Sequence, residues 1–243
     1  MAIDGLANRN HDCDMLLDQT YSLDGEKRWN DLIPSYCKLL SGAQYAILRP
    51  EFIIEKRDMR QRTGAIKRIL ISFGGVDMHN LTSEALEAIL LSNCKNILVD
   101  IVIGKNHPNL VDLKLRCEDL DYVNLHIQIS QIAKLMSLAD LSIGAGGMMI
   151  WERCYLGLPS ILVSIADNQI NQAKAVHSFG AAIYLGVFQK DIKKRILKEL
   201  NKLYSNPSLN ISLSKKSLEL INIPNQSSNK DSNYPIVDEL VRV

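Results

Sequence analysis

The chain has 243 residues, which fits one large domain or one domain plus a fragment of another. Its composition of 47% hydrophobic and 23% charged residues is typical of a globular protein with a sizeable core. The 28 basic residues nearly balance the 27 acidic ones, so the net charge of +1 gives no global attraction for nucleic acid or an anionic membrane. Any anion-binding site must therefore be local.

The cysteine spacing and the lengths of the apolar stretches indicate in which cellular compartment the protein is found. The five cysteines have no C-x-x-C spacing, and an odd number in a chain without a recognisable secretory signal argues against a disulfide framework. The apolar stretches are shorter than the roughly 18 residues that a membrane span needs. We therefore expect a cytoplasmic protein with no membrane or nucleic-acid partner.

The first third of the chain is the least regular part. Residues 1–54 contain two candidate strands, Met15–Leu17 and Tyr45–Leu48. The stretch Glu55–Arg62 has six ionic groups among eight residues, which predicts either a linker over residues 55–67 or a solvated helix face.

Residues 68–205 alternate short apolar runs with amphipathic stretches, and this pattern predicts repeated βα units. Apolar strands without polar alternation are typical of a parallel sheet covered on both faces. The predicted fold is α/β, with a Rossmann-like doubly wound sheet. The expected strands are Ile69–Phe73, Ile97–Ile103, Tyr122–Ile127, Leu141–Ala145, Ser160–Ile165 and Ala182–Leu185, and the expected helices are Thr82–Leu91, Leu110–Glu118, Ile129–Ser137, Met148–Leu156, Asn168–Phe179 and Lys190–Tyr204.

The remaining residues, 206–243, are predicted to be a C-terminal tail. Asn206 and Pro207 end the preceding helix, and the segment Asn225–Asn233 is polar throughout.

Two glycine pairs follow predicted strands, Gly74-Gly75 and Gly146-Gly147. Glycine lets backbone N–H groups approach an anion, and the helix that follows adds free donors. The alternative is that each pair merely permits a tight strand-to-helix turn. Two pairs at equivalent strand ends favour a diphosphate site, whereas the lack of a P-loop ending and of G-x-G-x-x-G spacing disfavours ATP and NAD.

Three polar residues stand close to these loops in the sequence. Glu152 lies in the first turn of the helix after the second pair, where a carboxylate can accept hydrogen bonds from ribose hydroxyls or simply complement the helix dipole. Asn168 and Gln169 follow the next strand, and their amides suit sugar hydroxyls or N-acyl groups.

A family resemblance rests on motifs in the same order along residues 2–185. The chain resembles the UDP-2,4-diacetamido-2,4,6-trideoxy-β-L-altropyranose hydrolases of pseudaminic acid biosynthesis, and its C-terminal half is similar to the UDP-binding domain of GT-B glycosyltransferases. The matching segments are Ile3–Ala7, His11–Asp14, Leu17–Gln19, Tyr45–Phe52, Phe73–Asp77, Gly144–Gly147, Trp151–Cys154, Leu156–Pro159 and Ala166–Gln169.

The resemblance implies a role for each candidate residue. Uracil would lie near the loop before the helix at Ile132, Glu152 would hold the ribose, and both glycine pairs would hold the diphosphate. Asn168 and Gln169 would face the diacetamido sugar. Members of the family release UDP and the free sugar by cleaving the anomeric C–O bond with water, with inversion and without a metal or other cofactor.

The chain departs from the family at the catalytic histidine. That histidine belongs to a glycine-rich loop of an N-terminal domain, and no matching motif stands in this sequence. Residues 1–54 are therefore expected to be a remnant of the N-terminal GT-B domain, and the catalytic residue is unknown. Of the five histidines, His11 is expected to be structural, and His79, near the first glycine pair, is the only one worth testing.

Three functions remain open from the sequence. The first is a UDP-sugar hydrolase, either truncated or completed by a separately encoded N-terminal domain. The second is a GT-B glycosyltransferase that moves the sugar to an acceptor, and the third is a non-catalytic UDP-binding fragment.

Overall fold

The computed structural model describes residues 1–222, which form two parallel sheets. The smaller sheet has the order β1-β2-β3, with β1 at Ala2–Ile3, β2 at Met15–Asp18 and β3 at Lys38–Ser41. The larger sheet has the order β6-β5-β4-β7-β8-β9 and consists of β4 at Arg68–Ser72, β5 at Leu98–Ile103, β6 at Val123–Ile127, β7 at Leu141–Ala145, β8 at Ser160–Ser164 and β9 at Ile183–Val187.

Eight α-helices connect and flank these strands in the described part of the chain. Their bounds are α1 at Pro50–Arg57, α2 at Leu81–Leu90, α3 at Leu110–Glu118, α4 at Ile132–Leu138, α5 at Met149–Tyr155, α6 at Ile170–Phe179, α7 at Ile192–Ser205 and α8 at Pro207–Ile221. None of the helices within residues 1–222 is both long enough and apolar enough to cross a bilayer.

The larger sheet confirms the predicted Rossmann-like architecture. Its chain runs outward from β4 through β5 to β6, returns to the middle at β7, and runs outward again through β8 to β9. The order reverses between β4 and β7, which is the topological switch point of a doubly wound sheet. All six predicted strands are present, with ends shifted by two residues or fewer.

Burial on both faces explains why these strands are apolar throughout. In β4, Ile69 and Ile71 pack in one core cluster with α2 and α7, whereas Leu70 packs in another with α4. All three side chains are fully buried. A strand with helices on both sides has no solvent-facing positions, so its hydropathy does not alternate.

The predicted strand Tyr45–Leu48 is wrong. The third strand of the smaller sheet is Lys38–Ser41, and Ala43–Tyr45 form a turn of 3-10 helix. Gly42, with a φ of 124°, ends the strand, since that conformation is rarely open to other residues. Tyr45 is buried against Met15, Leu17 and Leu40. Its apolar ring therefore fits the sequence pattern of a buried strand, although the backbone is helical.

The charged stretch is neither a linker nor a solvated face along its whole length. Its first residues belong to α1, and Arg62 is 7% exposed. The Arg62 guanidinium donates to four main-chain carbonyl oxygens at the C-terminal ends of α4 and α5, at 3.1 Å to Met136, 3.1 Å to Ala139, 2.6 Å to Leu156 and 3.1 Å to Gly157. Arg62 therefore joins two helix ends that would otherwise leave acceptors unpaired.

The assignment of all residues after 205 to a tail is also corrected. Asn206 and Pro207 end α7, as predicted, but α8 begins at Pro207. The Asn206 side chain accepts a hydrogen bond from Leu209 N and caps α8, and Asn210 is buried with its Nδ2 3.1 Å from Gly64 O. The predicted polar segment Asn225–Asn233 lies outside the described residues.

Candidate functional site

The two glycine pairs lie side by side at the switch point of the larger sheet. β4 pairs directly with β7, and Ser72 at the end of β4 is in register with Gly144. The loops that leave these two strands are therefore neighbours in space, as the sequence predicts. Open α/β sheets bind their ligands at this position.

The first loop has an open backbone. Gly74 has a φ of 94°, and a Cβ atom built on either Gly74 or Gly75 would have no heavy atom within 4 Å. Behind the loop the packing is tight, because a Cβ on Gly104 would lie 2.3 Å from Gly75 O. The loop thus rests on Gly104, and the space on the Cβ side of Gly74 and Gly75 is open.

The helix after this loop does not offer the free donors that the sequence analysis expected. The Asp77 carboxylate accepts hydrogen bonds from Leu81 N at 3.0 Å and from Thr82 N at 2.7 Å. It therefore occupies the N-terminal end of α2 with the protein's own anion. The backbone at Gly74 and Gly75, outside the helix end that Asp77 covers, is then the better candidate to bind a ligand.

The second loop is held in place by α6. Gln172 Nε2 donates to Gly146 O at 2.7 Å. A Cβ on Gly146 would lie 3.2 Å from Ala173 Cβ, and one on Gly147 would meet only ordinary contacts with Gln169. Gln172 is a positioning residue that its sequence does not single out, because its amide belongs to a run of amides with no distinguishing spacing.

A buried arginine lies beneath both loops. Arg153 is 1% exposed, and its guanidinium donates to Ala145 O at 2.9 Å and to Ser72 O at 3.2 Å. A Cβ on Gly144 would lie 2.3 Å from Arg153 Nη2. Gly144 therefore provides the space through which the guanidinium reaches both strand ends.

Glu152, next to Arg153 on α5, is held by an arginine of the N-terminal part of the chain. Arg49 Nε donates to Glu152 Oε1 at 3.1 Å. Glu152 Oε2 is buried and has no hydrogen-bond partner within residues 1–222. A buried carboxylate oxygen without a donor is costly, so this acceptor is suited to a ligand hydroxyl.

A cavity of about 390 Å³ separates the smaller sheet from the second glycine loop and the start of α6. Asn168 and Gln169, which the resemblance implies would face the sugar, both line this cavity, and Asn168 is exposed. Gln169 is partly committed, because its Oε1 accepts from Ile165 N at 3.1 Å. The other lining residues are Gly5, Leu6, Thr20, Tyr21, Ser22, Arg28, Gly147, Met148, Asp167, Asn171 and Gln172.

The 3-10 helix Gly25–Trp29, between β2 and β3, contributes Arg28, a cation that the sequence pattern does not single out. Arg28 pairs with Asp18, which is fully buried at the end of β2 and also accepts from Thr20 Oγ1 at 2.6 Å and Trp29 Nε1 at 2.9 Å. These hydrogen bonds fix the orientation of Arg28 at the cavity wall. Arg28 gave no sequence signal because its partner Asp18 has no regular spacing from it.

The candidate uracil site, Ile132 and the loop before it, lies apart from the cavity. Ile132 begins α4, but its side chain is buried in the core, so only its backbone can face the preceding loop. Residues 128–131 of that loop line a separate shallow pocket together with His126, Lys134 and Leu135. The expectation of uracil there stays a prediction.

The two histidines singled out by the sequence have identifiable packing roles. His11 Nε2 lies 3.0 Å from Asp4 Oδ2, which fits the expected structural role. His79 is exposed and stacks on the Phe188 ring, with 4.6 Å between the centroids. Neither histidine lines the cavity.

Residues 69–233 match the family described as Glycosyltransferase family 28 C-terminal domain. Three curated proteins are similar to the chain. An uncharacterized protein of Methanocaldococcus jannaschii is 30% identical over 68% of this chain and 31% of its own length. The spore coat polysaccharide biosynthesis protein SpsG of Bacillus subtilis is 26% identical over 81% and 58%. The UDP-2,4-diacetamido-2,4,6-trideoxy-β-L-altropyranose hydrolase of Campylobacter jejuni is 26% identical over 67% and 57%.

The matched part of the chain spans about a third to three fifths of the length of these curated relatives. Among solved structures, MurG of Acinetobacter baumannii superposes with a TM-score of 0.54 at 15% identity, covering 94% of this chain and 66% of that one. The glycosyltransferase WaaG superposes with a TM-score of 0.56 at 12% identity, covering 93% and 61%. These likenesses support the same fold for the described residues.

Proposed function

The chain belongs to the glycosyltransferase family 28 C-terminal domain family, and from this premise we propose that it binds a UDP-sugar at the switch point and serves its hydrolysis to UDP and free sugar. The sugar that we propose is of the 2,4-diacetamido-2,4,6-trideoxy class. The observation that carries the proposal is that both glycine loops leave adjacent strands at the switch point, with the polar cavity beside the second loop.

The nucleotide end of the ligand is assigned by the groups left without partners. The open backbone at Gly74, Gly75 and Gly147 would bind the diphosphate. The ribose hydroxyls would supply the donors that Glu152 Oε2 lacks. We propose that uracil lies over the loop before α4, whose residues line a separate pocket.

The sugar end is assigned to the cavity because of its amide side chains. Asn168, Asn171 and Gln172 lie together there, and amides both donate to and accept from acetamido groups. The same sugar appears in the name of the Campylobacter jejuni hydrolase, which is 26% identical to this chain. That likeness and the shared motifs favour this sugar class.

For the hydrolysis, the protein must stabilise the departing diphosphate and accept a proton from the attacking water. The anomeric C–O bond breaks with its electron pair going to the β-phosphate of UDP, and a water oxygen bonds to the anomeric carbon after losing a proton. Positive charge at the diphosphate stabilises the leaving group. Among the described residues that line the cavity, Asp167 is the one carboxylate and no histidine is present.

We expect Glu152→Ala to weaken UDP binding at least about tenfold, the size of about 1.4 kcal/mol, because the ribose would lose its acceptor. Isothermal titration calorimetry with UDP measures this change. Asp112→Ala is the matched control. Asp112 is also an acidic residue in the first turn of a helix, α3, and it does not line the cavity. Equal UDP affinities for the Glu152 variant and the wild type would sink the ribose assignment.

We expect the chain by itself to release UDP from the diacetamido sugar nucleotide slowly or not at all, because the histidine motif of the hydrolase family has no match in this sequence. Release of UDP and of free sugar, followed without any acceptor, tests this expectation. A rate typical of enzymes, about 1 s⁻¹ or more, would place the catalytic base within these residues. Release that requires an added sugar acceptor would favour a glycosyltransferase instead.

A further inference from the structure

We infer that Arg153 is the positive charge that the cleft directs at the diphosphate of its ligand, an inference that rests on the proposed function. The guanidinium lies beneath the switch point and donates to the carbonyl oxygens of Ser72 and Ala145. These oxygens belong to the last residues of β4 and β7. One side chain thus spans the two strands from which both glycine loops depart.

The charge of Arg153 has no counter-ion of its own. Within residues 1–222 no carboxylate forms an ion pair with it, and the neighbouring Glu152 pairs with Arg49 instead. Arg153 Nε is buried and has no hydrogen-bond partner in the described part of the chain. Burial lowers the pKa of Arg153 to about 10, against a smaller raising effect of Glu152, so the group is still protonated at neutral pH. A buried cation of this kind is stabilised when an anion binds nearby.

Arg62 provides an internal comparison, because it is the other arginine buried against this sheet. Burial lowers its pKa to about 10 as well, with further lowering by Arg60. Every nitrogen of Arg62 donates to a carbonyl oxygen, at the end of the sheet where β7 and β8 begin. Its burial is therefore explained by helix ends alone.

Arg153 lacks that explanation. It makes two carbonyl hydrogen bonds, leaves one nitrogen unpaired, and requires a glycine at position 144 for its passage. It lies at the opposite end of β7, where the carboxyl ends of the strands and the glycine loops meet. The difference between the two arginines is the cleft, and the ligand group that fits a cation there is a diphosphate.

The test is whether Arg153 responds to ligand charge. Uridine, UMP and UDP are titrated into the wild type and into Arg153→Met, Arg153→Gln and Arg153→Lys. We expect wild-type affinity to rise from uridine to UDP, the two neutral variants to lose at least about tenfold for UDP and less than about threefold for uridine, and the lysine variant to keep most of the gradient. The glutamine variant retains an N–H donor for the strand carbonyls, so it carries the test if the methionine variant does not fold.

Arg62→Lys is the matched control. It should lower the melting temperature without changing the ratio of UDP to uridine affinity, because its site is remote from the cleft. A neutral Arg153 variant that keeps the wild-type ratio would overturn the assignment and leave Arg153 as a structural residue. If the wild type itself binds uridine and UDP equally, the proposed diphosphate site is wrong, and the role of Arg153 falls with it.

Discussion

Arg62→Met is expected to lower the free energy of unfolding by about 2–5 kcal/mol, because it removes the donor of two buried carbonyl oxygens and each loss costs about 1–3 kcal/mol. The substitution fills the space of the side chain but removes the Arg62 donor from the carbonyl oxygens of Met136 and Leu156. The carbonyl oxygens of Ala139 and Gly157 keep their hydrogen bonds from Arg60 and Ser214. Buried acceptors without partners carry the full cost of their desolvation. In a chain of this size the melting temperature should fall by about 10 °C.

Urea unfolding of the wild type and the variant measures the change. Arg57→Met is the matched control, because Arg57 lies in the same charged stretch but is exposed at the end of α1. We expect the control to stay within about 0.5 kcal/mol of the wild type, as is usual for surface positions. If both variants lost the same small amount, the charged stretch would be the solvated linker that its composition suggests.

Gly144→Ala should be the second severe change, with a loss of about 3 kcal/mol or more from overpacking. The new Cβ would lie 2.2 Å from Ser72 O and 2.3 Å from Arg153 Nη2. The first contact is with backbone of the adjacent strand, which cannot move without breaking the pairing of β4 with β7. The second would push the guanidinium away from its carbonyl partners.

Gly75→Ala is the counterpart that separates folding from binding. Its added Cβ meets nothing within 4 Å, and its φ is not in the left-handed region, so stability should change by less than about 0.5 kcal/mol. If Gly75 approaches the diphosphate, this variant should still lose UDP affinity, measured by calorimetry. A Gly144→Ala variant as stable as the wild type would contradict the overpacking argument. It would show that the ends of β4 and β7 can shift enough to accommodate the added Cβ.

The sequence by itself determined the larger sheet and its cleft. Runs such as Ile69–Ile71 are apolar at every position, and only burial on both faces accounts for that pattern. Once the strands are parallel and alternate with helices, the loops at Gly74 and Gly146 must emerge at one edge. The positions of both glycine pairs, of Glu152 and of the amides at Asn168 and Gln169 follow from that topology.

Hydropathy patterns predict the wrong element where a residue is buried outside a strand or where a helix buries polar residues. Tyr45 reads as a strand residue because it is apolar and buried, although a turn of 3-10 helix places it in the core. The helix α8 was missed because its buried positions include Asn210 and Ser217, which pack through hydrogen bonds to distant backbone. Polar residues of this kind interrupt the hydropathy period of a helix.

Only the tertiary structure decided what the buried charges do. Arg62 and Arg153 look like ordinary surface cations in the sequence, since hydropathy assigns arginine to solvent. Their partners are main-chain carbonyl oxygens, many of them more than seventy residues away along the chain. A carbonyl is present at every residue and leaves no mark in the sequence. Folding alone selects which carbonyls each guanidinium meets, and so separates the arginine that joins helix ends from the arginine beneath the cleft.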